Sequence, residues 1–174
     1  MKKIVVYRSK TGFAEKYAKW IAEALKCDVE ELKKVSVNKL QEYDVIIYGA
    51  GVMAGMMNDM KKVKAMQAKL LSKKWVVYAV GATPDSDEGN VSNIKNVNMT
   101  DTMKGVPFFY FQGGINYDKM GFIPRSMLRM VGNTLEKKEN KTEAEVDMAQ
   151  IFSSSFDKTD KKYIEPLVAC VNGL

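Results

Sequence analysis

A chain of 174 residues, 46% of them apolar, is long enough to bury one substantial core; with no linker, low-complexity tract or internal repeat, it reads as a single domain over 1–174. It has no histidine, which excludes Ser-His-Asp and Cys-His nucleophilic machinery and removes the commonest metal ligand, so no metal site is expected. Its formal charge of +6, mostly from lysine, suits an anionic ligand, an acidic partner or an anionic membrane surface, while the lack of a basic stripe interleaved with aromatics argues against nucleic acid.

The start Met1-Lys2-Lys3 imitates a signal n-region, but the apolar run behind it stops at Tyr7. Lys3–Tyr7 instead reads as a strand buried on both faces. Phe13, Tyr17, Trp20, Ile21, Ala24 and Leu25 then recur with helical spacing. A short second strand is expected near Asp28–Leu32 and a third over Tyr43–Gly49. After a Gly/Met loop, Met60, Val63, Met66, Leu70 and Leu71 mark an amphipathic helix with Asn58 or Asp59 as its cap.

Lys74–Gly81 is the fourth strand. Asp85–Lys104 is polar, with only Val91, Ile94 and Val97 spaced as a helix. Val106–Gly114 is the fifth strand, followed by a helical stretch over Pro124–Val131, a polar region over Asn133–Asp147, and a final helix carrying Tyr163, Ile164, Leu167, Val168 and Val171. Pro166 leaves the start of that helix open. No run approaches the roughly 18 apolar residues of a membrane span. Cys27 and Cys170 lack C-x-x-C spacing and read as reduced, packed thiols, which with the missing signal segment gives a cytoplasmic expectation.

Repeated β-α-β units with apolar strands imply an α/β fold, a parallel sheet with helices on both faces. Ligands of such sheets sit beyond the carboxyl ends of the strands. Four loops on that edge, 8–13, 49–57, 81–85 and 112–117, are rich in glycine and small residues. The first reads Arg8-Ser9-Lys10-Thr11-Gly12-Phe13. It can hold a phosphate, with hydroxyl donors at Ser9 and Thr11, close backbone approach at Gly12, and charge at Lys10. The plainer alternative is that Thr11 caps the helix and Gly12 only makes a turn. G-x-x-x-x-G-K-[ST] is absent, and G-x-G-x-x-G is absent from this turn; Gly49-Ala50-Gly51 with Gly55 imitates it at the wrong place and spacing. A receiver domain would need acidic strand ends, where this chain has Tyr7 and Tyr48.

Val5-Val6-Tyr7-Arg8-Ser9-Lys10-Thr11-Gly12-Phe13-Ala14, with Ala18 downstream, resembles the flavodoxin signature of an apolar strand, an aromatic, and a hydroxyl-and-glycine loop opening the first helix. The resemblance implies a flavodoxin-like five-stranded sheet of order 2-1-3-4-5 and FMN as cofactor, its phosphate held by Ser9, Lys10, Thr11, Gly12, Phe13 and Ala14. The family usually places a second threonine where Ala14 stands, and losing one hydroxyl donor costs on the order of 1 kcal/mol. The same resemblance places Ala50, Gly51, Val52 and Met53 on one side of the flavin ring. Ala82, Thr83, Pro84 and Asp85 fall on the other, with Gly113 and Asn116 at its edge. Neither ring loop carries the aromatic that flavodoxins often stack there; Met53, Met56 or Met57 can supply polarisable contacts instead.

An insertion over about residues 113–145 follows the fifth strand, and Tyr110–Gly132 resembles the menaquinone-linked protoporphyrinogen oxidase branch of long-chain flavodoxins. Phe122, Ile123, Met127, Leu128 and Met130, with Lys119, Arg125 and Arg129, either face an apolar anionic substrate or a membrane surface or else cover the sheet edge. Three functions are therefore expected to compete. The chain is an FMN electron carrier for a redox partner protein, a flavin-dependent oxidoreductase acting on a porphyrinogen or a quinone, or a flavodoxin-fold module that has lost FMN. Carriers of the family are typically acidic, so +6 favours an anionic partner.

Overall fold

The computed structural model describes residues 1–174, except for the side chain of residue 144. In chain order the elements are β1 (Lys3–Arg8), α1 (Phe13–Leu25), β2 (Asp28–Glu31), α2 (Val37–Leu40), β3 (Val45–Met53), β4 (Met56–Met57), α3 (Met60–Gln67), β5 (Lys74–Gly81), α4 (Glu88–Asn98), β6 (Phe108–Gln112), β7 (Gly114–Ile115), α5 (Phe122–Lys137), α6 (Glu143–Ile151), β8 (Phe156–Asp157) and α7 (Glu165–Asn172). Five strands lie parallel, as the β-α-β alternation requires, in the order β2-β1-β3-β5-β6 that the resemblance to flavodoxins implies.

Alternation along each strand sends side chains to opposite faces, and each face gathers its own core. Ile4, Val6, Ile46, Tyr48 and Val77 pack with Leu40 of α2, Val63 of α3 and Ile94 of α4. Val5, Ile47, Val76, Tyr78 and Phe111 pack with Tyr17 and Ile21 of α1 and Leu167 and Val171 of α7. On α1 the buried stripe runs through Ala14, Tyr17, Ala18, Ile21, Ala22 and Leu25, while Ala24, expected inside, is exposed. Cys27 and Cys170 are free thiols, and burial pushes Cys27 up to about 11, so little reactive thiolate exists near neutral pH.

Several boundaries differ from the sequence reading. β3 does not stop at Gly49 but continues to Met53, still paired with β5 as far as Gly51 opposite Val80. It then folds back as β4 through Ala54 and Gly55, both in the left-handed region. Asp59 takes the N-cap position of α3, but its side chain makes no cap bond there. The Asp59 carboxylate pairs with Arg8 at 2.7 Å, and the Asn58 amide donates to the Gly51 carbonyl at 2.7 Å. Leu70 is buried beyond the end of that helix, and Leu71 is exposed.

The weak periodicity of Asp85–Lys104 does form a helix, α4, capped by the Asp87 side chain. α5 is longer than expected, and Pro124 sits in its first turn, where a missing N–H leaves no bond unmade. The polar stretch Asn133–Asp147 is divided between the end of α5 and the start of α6, which opens with a capping box of Thr142 and Glu145. α7 starts at Glu165 with Pro166 in its first turn. The ribbon β7–β8 ties both ends of this excursion to the sheet edge.

Candidate functional site

At the carboxyl end of β1 the chain turns through Gly12, whose φ of 99° lies in the left-handed region that favours glycine. α1 begins there, with the Lys16 N–H donating to the Gly12 carbonyl at 3.0 Å. The N–H groups of the first turn have no carbonyl one turn earlier to donate to, and no side chain caps them. The alternative in which Thr11 serves as the cap is therefore not what forms; Gly12 takes the cap position and the Thr11 hydroxyl stays available. Ser9 Oγ accepts from the Gly12 N–H at 3.0 Å, which holds the turn and leaves the hydroxyl proton free to donate. Arg8 is occupied elsewhere, between Glu31 and Asp59.

The turn opens into a cavity of about 270 Å³. One wall is the β3–β4 hairpin, Gly51 to Gly55, clamped from behind by Asn98 of α4. Asn98 is 1% exposed; its carbonyl accepts from Met57 N–H at 2.9 Å, and its amide donates to the Gly55 and Ile94 carbonyls at 2.8 and 2.7 Å. The opposite wall is Ala82 and Thr83. There the Tyr110 hydroxyl donates to the Thr83 carbonyl at 2.8 Å and lies 3.0 Å from the Thr83 hydroxyl, to which Asn90 also donates. Burial pushes Tyr110 up to about 12, against the opposing pull of its bond to Thr83, so the phenol stays protonated and serves as a donor. Phe13, Val80 and Ile115 floor the cavity, and Met120, Leu128, Met148 and Phe152 cover it.

Of the residues expected at the site, Ser9, Lys10, Thr11, Phe13, Ala14, Gly51, Val52, Met53, Ala82 and Thr83 line this one cavity. Six do not. Gly12 shapes the turn from behind, and Ala50 is fully buried in the sheet. Pro84 and Asp85 lie outside the wall, with Asp85 accepting from the Tyr163 hydroxyl at 3.3 Å. Gly113 is held by main-chain bonds from its N–H to Gly81 and from Lys158 to its carbonyl. The Asn116 side chain accepts from the Lys119 N–H at 3.1 Å instead of reaching the cavity. Asn58, Asn90 and Tyr110 were not expected at the cavity, nor were Met120, Met148 and Phe152, whereas Leu128 belongs to the group expected to face a substrate or cover the sheet edge. Asn98 did leave a trace in the sequence, since it continues the inward spacing of Val91 and Ile94 with a polar residue.

Among the described residues no group of three or more His, Cys, Asp or Glu can hold a metal ion, and no helix is long and apolar enough to cross a membrane. Residues 4–143 match the model of the flavodoxin domain family. No curated protein matches the chain. Among solved structures, a flavodoxin from the domain Archaea is 17% identical over 88% of this chain and 100% of its own, with a TM-score of 0.42. Flavodoxin 2 from Bacillus cereus is 19% identical over 64% and 84%, at 0.46. A flavodoxin, WrbA-like protein from Agrobacterium tumefaciens is 16% identical over 87% and 94%, also at 0.46.

Proposed function

The chain belongs to the flavodoxin domain family, and we propose that it is an FMN-dependent redox protein. The observation that carries this reading is the pairing of a donor-rich helix start with an apolar slot. Unpartnered first-turn N–H groups, the Thr11 and Ser9 hydroxyls and the Lys10 ammonium suit a phosphate. The slot beside them, between the β3–β4 hairpin and Ala82–Thr83, suits an aromatic ring. When bound, FMN supplies one- and two-electron transfer. The chain's own work is to neutralise the phosphate, to hold the ring between two walls braced by Asn98 and Tyr110, and to exclude water with Met120, Leu128, Met148 and Phe152.

Titrating apoprotein with FMN, FAD and riboflavin tests the assignment. Two charge-assisted bonds at roughly 1.5–3 kcal/mol each make FMN bind at least about a hundredfold better than riboflavin. Equal affinities would remove the phosphate from the first loop. A colourless protein that ignores FMN would leave only the module that has lost its cofactor.

A second reading, an oxidoreductase passing electrons between a porphyrinogen and a quinone, is favoured by α5. Phe122, Ile123, Met127 and Met130 are exposed on the helix whose Leu128 covers the cavity. Arg125 and Arg129 accompany them, the latter stacked over Tyr117 at 5.2 Å. In this reading an apolar anionic substrate docks on α5. Replacing all four exposed apolar residues by serine abolishes oxidation of protoporphyrinogen by a quinone while FMN stays bound; undiminished turnover would return α5 to a covering role.

A further inference from the structure

The turn that leads into α5 reaches back across the fold to the first loop. Tyr117 anchors it: the ring is 4% exposed, its hydroxyl donates to the Phe152 carbonyl at 2.7 Å, and its N–H donates to Ser155 Oγ at 3.0 Å. The Asn116 side-chain Oδ1 accepts from the Lys119 N–H at 3.1 Å and closes the turn. With that backbone held, the Lys119 side chain stands over the loop. A Cβ placed on Gly12 would lie 3.5 Å from Lys119 Nζ.

An ammonium poised there needs a counter-charge; among the described residues no carboxylate lines the cavity, and those of Glu31, Asp59, Asp157 and Glu15 are engaged by other cations. Arg8 holds Glu31 and Asp59, Lys16 holds Asp157 at 2.9 Å, and Lys19 holds Glu15 at 2.6 Å. Lys10 lines the same loop, and the positive end of α1 points into it. Three positive elements therefore meet at a loop whose cavity lining carries no carboxylate. An arrangement of this kind is stabilised by an anion and is repulsive without one.

We propose that Lys119 is a phosphate-binding residue, delivered to the first loop by the segment between β7 and α5. The proposal rests on the reading that this loop takes the FMN phosphate. Lys119 then replaces, from another part of the chain, the interaction lost where Ala14 provides no hydroxyl. Met120 follows Lys119 directly and lines the cavity, and Leu128, nine residues beyond Lys119 on α5, lines it too, so the lysine stands where the first loop meets the cover.

Titration of the full-length apoprotein with FMN and with riboflavin, followed by flavin fluorescence, separates the outcomes. Lys119→Met lowers FMN affinity at least tenfold and changes riboflavin affinity less than twofold; Lys119→Arg keeps most of the FMN affinity. The fall of FMN affinity with rising salt is also shallower in Lys119→Met, because one cation fewer faces the phosphate. Equal losses for both flavins in Lys119→Met would show that the lysine only supports the turn, and no loss for either would show that it does not meet the phosphate. Either result overturns the proposal while leaving the first loop in place. A wild-type protein that fails to prefer FMN over riboflavin would instead overturn the reading on which it rests.

Discussion

Gly49→Ala is expected to destabilise the folded chain by about 3 kcal/mol, the upper part of the range for overpacking a core. A Cβ at this position would lie 1.7 Å from Tyr78 Cζ and 2.2 Å from its hydroxyl. Gly49 and Tyr78 are register neighbours on β3 and β5, and the tyrosine ring crosses the strand where the glycine leaves room. That ring cannot swing away cheaply. It is fully buried, stacked on Phe111 at 5.2 Å between centroids, and its hydroxyl donates to the Ala14 carbonyl at 3.1 Å.

The last contact connects packing to the site. Tyr78 reaches from the middle of the sheet to the first turn of α1, so displacing it also displaces the helix start that faces the cavity. Gly49→Ala therefore weakens FMN binding as well as stability. Urea unfolding and flavin titration on the same variant check both effects. A double-mutant cycle isolates the cause: in a Tyr78→Leu background, which removes the crossing ring, the alanine costs less than about 1 kcal/mol. A stability loss below about 1 kcal/mol in the wild-type background would mean that the ring is not held as described.

Asn98→Ala is the second large effect, again about 3 kcal/mol. Three main-chain groups lose their partner: the N–H of Met57 and the carbonyls of Gly55 and Ile94. Each buried polar group left unpaired costs roughly 1–3 kcal/mol, with part of that recovered where the Ile94 carbonyl keeps its helical bond. The damage is directional. α4 keeps its apolar contacts through Ile94, but the tip of the β3–β4 hairpin loses what fixes it. Amide exchange at Met57 accelerates strongly, while exchange in β5 and β6 follows only the global loss of stability. Unchanged protection at Met57 would show that the hairpin does not depend on Asn98. Asn98→Asp provides a control, because it keeps the acceptor for Met57, loses both donors and buries a charge. It does not rescue the variant.

Much of the fold was legible because its signals are local. Apolar runs of strand length, alternating with helical spacing, are enough to specify buried parallel strands and the helices that cover them. The glycine and hydroxyls between β1 and α1 likewise marked a tight turn into a helix start, and the structure places Gly12 in the left-handed region at that turn. The misreadings share one feature. Gly49 reads as a strand end by its own conformational preferences, yet β3 continues through it, paired with β1 and β5 on both sides, and the glycine leaves room for the Tyr78 ring of the neighbouring strand. Asp59 reads as a helix cap, yet its carboxylate is claimed by Arg8 of β1. Asn116 reads as a ring contact, yet it closes its own turn.

Alone, then, the sequence determined the class of fold and the position of the hydroxyl- and glycine-rich first loop, because periodicity and turn chemistry act over a few neighbouring residues, while the strand order came with the resemblance to flavodoxins. Tertiary structure decided which side chains meet. It placed Asn98 behind a hairpin 41 residues earlier in the chain, joined Tyr110 to Thr83 across two strand ends, covered the slot with α5 and α6, and set the Lys119 ammonium over Gly12. None of those encounters has a local pattern. Each depends on how the whole sheet and its helices pack, because a side chain's reach is a few ångströms and only the assembled fold brings distant segments within it.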